Sequence, residues 1–233
     1  MKNIIEKDQL LHISNLRNTK LDQIDAIGTD TTTNPYCIIK NDPSRIIKIP
    51  KYDKSKNINL DNYVKICNHY KNTTFALWSK RKDIIKAYFD KHKKPKNLIL
   101  IYSNDKINDP ITKPFDHFDK VFNVVSKDQF IQDQNCTGQQ CKNCLKCYKF
   151  SKASKNNIIY EAVKGKKAIS GSPCKVCYSH KAIKYRYHTM RSPLAKNSKL
   201  LKKPLTKIQI QALNILKLVF RFNHHGEILD NAK

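Results

Sequence analysis

Cys136, Cys141, Cys144 and Cys147 form a C-x4-C-x2-C-x2-C set inside Asn135 to Tyr148 (NCTGQQCKNCLKCY). Four thiols this close, in a polar stretch with almost no apolar neighbours, make poor core residues, and left exposed they would oxidise. Thiolate sets of this density hold zinc or an iron–sulfur cluster. The first three positions have the C-x4-C-x2-C interval of plant-type ferredoxins, and the short x2 steps resemble bacterial ferredoxin runs. Zinc sites more often split into two separated C-x2-C pairs. The expected cofactor is therefore an iron–sulfur cluster, with zinc as the alternative.

A second thiol pair, Cys174 and Cys177, precedes Tyr178 (SPCKVCY). A pair is half a site. Cys37, in Asn34-Pro35-Tyr36-Cys37, is available as a third ligand for a second cluster, and His180 is a nearby alternative; a redox pair or half of a zinc site is the competing reading. Cys67 falls on the apolar face of a predicted helix, where a free thiol packs as a small hydrophobe.

Other residues with chemistry sit where strands should end. Glu227 follows Gly226 beyond Val219 to Phe222 (VFRF) and is the candidate catalytic and cofactor-binding acid, a solvated loop acid being the alternative. Lys80 and Arg81 follow Trp78-Ser79 and are placed to meet an anionic ligand, while Ser103 and Asn104 offer hydrogen bonds after Leu98 to Tyr102. His224 and His225 are adjacent, so in extended chain only one of them faces a site. His180 to Arg191 interleaves rings with cations, and Lys184, Arg186, Tyr187 and Arg191 are the candidate nucleic-acid contacts, since basic residues beside aromatic rings hold phosphates and stack bases.

These residues need a scaffold. Asp61 to Tyr70 and Lys82 to His92 carry apolar residues at helical spacing; Thr74 to Trp78, Leu98 to Tyr102, Val121 to Val125 and Val219 to Phe222 are short apolar runs. Thr206 to Leu218 returns to helical periodicity. Strands apolar throughout, separated by amphipathic helices, predict an α/β fold with a parallel sheet buried on both faces. Four strands and at least three helices point to a partial (β/α) barrel, because a complete one takes about 250 residues. The chain of 233 residues reads as one domain, 1–233, with basic, breaker-containing connectors at 43–55 and 165–171 and a cysteine loop at 135–148.

The formal charge is +26, almost all from lysine. That excludes an acidic calcium-type protein and favours loose contact with nucleic acid or another polyanion, because lysine acts on phosphate as a point charge rather than as a reader of base edges. The Lys, Asn and Ile richness is also what an AT-rich gene encodes. Five glycines leave no phosphate-cradling loop, and neither H-E-x-x-H nor G-x-S-x-G occurs. No stretch approaches the ~18 apolar residues of a membrane span. A cytoplasmic location follows as the expectation, the host cytoplasm for a viral protein, and there eight cysteines serve better as ligands than as disulfides.

Asn34 to Cys37, Cys174 to Tyr178, Phe220 to Glu227, Phe75 to Lys80 (FALWSK), Asn97 to Asn104 (NLILIYSN), Phe118 to Val125 and Asn135 to Tyr148 together resemble the bacteriophage "gene product eighty-eight" family. That family is distantly similar to radical-SAM barrels, in which three cysteines hold a [4Fe–4S] cluster at the strand C-terminal ends. The resemblance implies such a cluster at Cys37, Cys174 and Cys177, with Glu227 near the amino group of SAM. It departs from the family in two ways. The C-x3-C-x2-C signature of radical-SAM enzymes is absent, and the block Cys174 to Glu227 comes last instead of second. With the blocks exchanged, the chain end Asp230 to Lys233 would read naturally into Lys56 to Asn59, and the connectors at 43–55 and 165–171 would make the new order possible.

Overall fold

The computed structural model describes residues 6–15, 24–41, 44, 51–126, 135–153, 157–162, 188–223 and 225–230. Along these residues run β1 (Ser14–Asn15), β2 (Asp25–Ile27), α1 (Pro35–Asn41), α2 (Ile58–His69), β3 (Thr74–Ser79), α3 (Lys82–Phe89), β4 (Leu98–Ile107) and β5 (Lys120–Val125). They are followed by α4 (Cys141–Cys144), β6 (Ile158–Ala162), α5 (Arg191–Leu201), α6 (Lys207–Gln211) and β7 (Val219–Phe222). The connector 165–171, Cys174, Cys177, His180, Lys184, Arg186, Tyr187 and His224 lie outside the described residues.

The strands form one sheet in the order β1-β2-β7-β3-β4-β5-β6. Six of them are parallel, and only β1 runs antiparallel, against β2. This is the expected α/β fold. Three strands have too weak a pattern to be read from sequence: β1 and β2 are two and three residues long, and β6 mixes Tyr160 and Glu161 into its apolar run.

Alternation along the strands divides the core in two. Phe75, Leu77, Leu98, Leu100, Val121, Phe220 and Phe222 pack with residues of α2, α3, α5 and α6 in one cluster. Ala76, Trp78, Ile99 and Ile101 face the other way and meet Tyr148, Cys141, Leu145 and Cys147. Both faces are buried, as the apolar strands require, but among the described residues the second is covered by the cysteine segment and not by a layer of long helices.

Helix boundaries depart from the periodicity for local reasons. α2 begins at Ile58 because the Asn57 side chain accepts the Leu60 N–H as an N-cap. α3 stops at Phe89, three residues short of His92. The run Thr206 to Leu218 is helical only over Lys207–Gln211, where a Thr206–Gln209 capping box starts it; Asn214 then adopts φ 48 and turns the chain into β7. β4 continues to Ile107, with its pairing to β5 shifted between Ser103 and Ile107. In the 43–55 connector, Ser55 is buried in a 3-10 turn that Asp53 caps. Cys67 is fully buried, as expected, and burial pushes its thiol pKa up. No helix among the described residues is long and apolar enough to cross a membrane.

The last strand, β7, fills the gap between β2 and β3. The chain beyond it is tied to the start of α2: Asn57 Nδ2 donates to the Leu229 carbonyl at 3.0 Å, the Leu229 N–H to Asn59 Oδ1 at 3.3 Å, and the Tyr52 hydroxyl to Asp230 Oδ1 at 2.9 Å. Residues 228–230 thus lie beside Asn57 and Asn59. Gly226 makes this return possible, at φ 74 against Thr29; a Cβ there would overlap the Thr29 hydroxyl and stand 2.6 Å from its carbonyl oxygen. Gly226→Ala is expected to cost about 3 kcal/mol or more, combining backbone strain with overlap. Urea unfolding checks this, and a loss below about 1 kcal/mol would refute the packing described.

Candidate functional site

The C-terminal ends of the parallel strands bring together several of the residues singled out in the sequence. Glu227 is buried rather than a solvated loop acid. Its carboxylate accepts the Lys80 N–H at 2.7 Å and the Ile228 N–H at 2.8 Å, and its main-chain carbonyl accepts from Thr29 Oγ1 and Asn34 Nδ2. Burial raises its pKa, against the opposing pull of those N–H groups and of Lys80. The side chain therefore fastens the end of β7 to the end of β3. Lys80 reaches across β3 to β4, its Nζ donating to Ser103 Oγ at 2.7 Å and to the Ser103 carbonyl at 3.0 Å.

Cys37 sits over the same strand ends. Asn34, which holds the Glu227 carbonyl, also accepts from the Tyr36 and Cys37 N–H groups at the start of α1. Tyr36 packs under Lys40 and Arg81, and Lys40 pairs with Asp105 at 3.2 Å. Arg81 is committed to Asp83 and Asp230 and is no free anion receptor. Of the candidate nucleic-acid contacts, Arg191 is exposed at the start of α5, and its three companions lie outside the described residues.

The other cysteine set lies on the second sheet face. Asn135 and Cys136 extend the sheet past β6: the Cys136 N–H donates to the Tyr160 carbonyl at 2.9 Å, and the Asn135 side chain accepts from the Tyr160 N–H and donates to the Ile158 carbonyl. α4 is a single turn, which sets Cys141 and Cys144 three residues apart on it; Leu145, at φ 51, then reverses the chain into the 3-10 turn Lys146–Tyr148. Tyr148 is 2% exposed, and its ring lies 5.6 Å from that of Trp78, anchoring the segment to β3. The result is one cavity lined by all four cysteines together with Asn135, Gln139, Leu145, Lys146, Tyr148 and Ile159.

The thiols surround the cavity without converging: among the described residues no three Cys, His, Asp or Glu side chains meet in ligand geometry. A bound metal would have to draw them inward by side-chain rotation. The donor set still fits a thiolate-bound metal, for two reasons. Cys147 is pushed up to about 12, by burial first and then by Cys141, Cys136 and Cys144, so without a cation it stays protonated. Beside it Tyr148 Oη and Arg221 Nε are buried without a well-formed hydrogen bond among the described residues, although the two side chains face each other, and a further polar group there would improve their pairing.

The sequence reading passed over Arg221 and Lys120, the cations of this face. A signal existed: Arg221 is the one charge inside VFRF, and it alternates with Phe220 and Phe222, which face the helices. Its guanidinium carbon lies 3.9 Å from the Trp78 ring centre. His225, beside Arg221, is 7% exposed, and burial, with Arg221 adding to it, lowers its pKa to about 4.

The folded protein thus refuses a proton that the unfolded chain takes up below the ordinary histidine value of 6.5. The stability this confers is complete above that value and lost as pH falls toward 4. Relative to His225→Gln, the wild type should lose about 3 kcal/mol between pH 7 and pH 4. Denaturant titrations of both proteins across that window measure it, and parallel curves would refute a buried neutral His225. No protein family, characterised protein or solved structure matches this chain, so the chemistry of the site rests on its own residues.

Proposed function

We propose that the chain is a metal protein whose centre is held by Cys136, Cys141, Cys144 and Cys147, with an iron–sulfur cluster as its cofactor. The observation that carries this reading is the cavity that the four thiols share on the buried sheet face. A bound cluster would supply one-electron transfer. The chain's own part is to hold the thiols against the apolar wall of Trp78, Ile99 and Ile101 and to keep water from the face toward β3 and β4. Because the ligand segment is part of the second core cluster, metal binding and packing of the sheet are coupled.

A SAM-dependent centre at the strand ends is a second reading, supported by the placement of Cys37 and Glu227 on the same asparagine. In it Cys37 joins Cys174 and Cys177 around a further cluster, with Lys80 and Ser103 beside Glu227. The spatial strand order also supports the resemblance to the "gene product eighty-eight" family. β7 stands between β2, which precedes the Asn34 to Cys37 stretch, and β3, so in space the Phe220 to Glu227 stretch takes the place before FALWSK that the resemblance gives it.

Anaerobically purified protein is expected to carry iron and acid-labile sulfide, and Cys141→Ser with Cys144→Ser to remove them and to lower the melting temperature by several degrees. Metal and sulfide analysis checks the first part and calorimetry the second. Zinc without sulfide would replace the cluster by a structural zinc centre. Metal-free wild type whose melting is unchanged by chelators would overturn the proposal.

A further inference from the structure

A side chain closes the loop between Cys136 and Cys141. Gly138 stands at φ 93, in the left-handed region that glycine enters without strain, and beyond it the Gln139 amide folds back over residues 135–137. Its Oε1 accepts the Thr137 N–H at 2.7 Å and the Thr137 hydroxyl at 3.0 Å. Its Nε2 donates to the Asn135 carbonyl at 3.2 Å and to Cys144 Sγ at 3.6 Å. A primary amide has two acceptor positions and two N–H groups, and all four are engaged. The way it faces follows from its partners. Turned over, it would set its oxygen against the Asn135 carbonyl and its N–H groups against the Thr137 N–H.

Three of these contacts hold the amide to its own loop, and the fourth crosses to α4. The loop is in turn fixed to the sheet, because the Asn135 side chain accepts the Tyr160 N–H at 3.1 Å and donates to the Ile158 carbonyl at 2.9 Å. The anchors of Gln139 therefore lie off α4, and the place of its N–H does not depend on the rotamer that Cys144 adopts. Cys144 and Gln139 both line the cavity that the four thiols share. An N–H directed at a metal-bound sulfur draws charge from it, and hydrogen bonds of this kind tune metal affinity and, in a cluster, the reduction potential.

We infer that Gln139 is a positioning residue of the cysteine centre, whose amide N–H orients Cys144 and withdraws charge from its sulfur when metal is bound. The inference rests on the metal reading above and goes beyond it by giving a role to a residue that is no ligand. Donor polarity is the property required. Glutamate at position 139 can still accept from both Thr137 groups, but it sets a charged oxygen where the N–H stood, against the Asn135 carbonyl and the sulfur. Methionine keeps the length of the side chain and loses every polar contact. Thr137→Val removes one loop contact and leaves the N–H on Cys144.

The test uses the full chain, stripped of metal and loaded without oxygen with cobalt(II), which reports on bound sulfur through thiolate-to-metal charge-transfer absorption. Affinity is read by competition with a chelator. Gln139→Glu and Gln139→Met should each weaken cobalt binding about tenfold or more, the range typical of groups just outside a ligand shell. Both should also move the charge-transfer band to lower energy, because a sulfur without its hydrogen bond gives up charge more readily. Thr137→Val should stay within about threefold of wild type, the worth of one exposed hydrogen bond, with the band in place. Weakened binding together with the band shift in both Gln139 variants supports the inference. Weakened binding with an unmoved band overturns it, since loop closure alone would produce that, and so does Thr137→Val behaving like the Gln139 variants. If Gln139→Met does not fold, Gln139→Glu decides alone by the same two readouts. A wild type that takes up no cobalt, like Cys141→Ser with Cys144→Ser, overturns the metal reading itself, whereas normal uptake indifferent to position 139 overturns only the role of Gln139.

Discussion

The whole arrangement depends on β7 entering the sheet between β2 and β3. An interior parallel strand offers hydrogen bonds on both edges, and four residues, Val219–Phe222, serve β2 on one side and β3 on the other. Without them β2, three residues long, would keep only β1. Phe220 and Phe222 then stack with Phe75 and Tyr63 at ring distances of 4.2 to 5.6 Å. Each buried ring contributes about 1.5–3 kcal/mol. A long-range insertion of this kind sacrifices chain entropy before it gains contacts, so it needs fasteners that act at the junction itself.

Asparagine supplies them. Asn57, Asn59, Asn62, Asn197 and Asn223 are all buried, and their amides bridge main-chain groups or side chains of segments far apart in sequence. An amide both donates and accepts, so at Asn57, Asn62, Asn197 and Asn223 one side chain satisfies two segments that would otherwise bury unpaired polar groups, while Asn59 contributes the acceptor for the Leu229 N–H. Each such bond is worth about 1 kcal/mol net, and far more is lost when one partner is removed. The asparagine richness is thus structural in this core, whatever base composition contributed to it. Glu227 does the same work at the strand ends, joining β7 to β3 and holding α1 with Cys37 through Asn34.

The same short strand serves both faces. Its even positions complete the helix-covered core, while Arg221 projects to the side where the cysteine segment lies. Strain or charge change at the cysteines is therefore one residue away from the core packing. A metal bound there would stabilise the layer that covers the second face, which has no long helices of its own among the described residues.

Much was legible without coordinates. Apolar runs such as LILIY and VFNVV identify buried strands because burial on both faces leaves no alternation to read, and the density of thiols singles out Cys136 to Cys147, although nothing in their spacing shows that Cys141 and Cys147 pack against the second core cluster. β1 and β2 were not legible, since two or three residues carry no period. The end of α6 was missed because Asn214 in a left-handed turn cut a pattern that periodicity alone would have continued. Arg221, Lys120 and the asparagine fasteners depended on the tertiary structure. Their meaning lies in which segment stands opposite, and partners some 140 to 200 positions away, such as Asn62 with Leu201 or Thr29 with Glu227, leave no local signature. The chain by itself determined its fold class and the close spacing of four of its cysteines; the insertion of β7 decided what stands beneath them, because only a folded sheet brings one strand's alternate face beneath another segment's thiols.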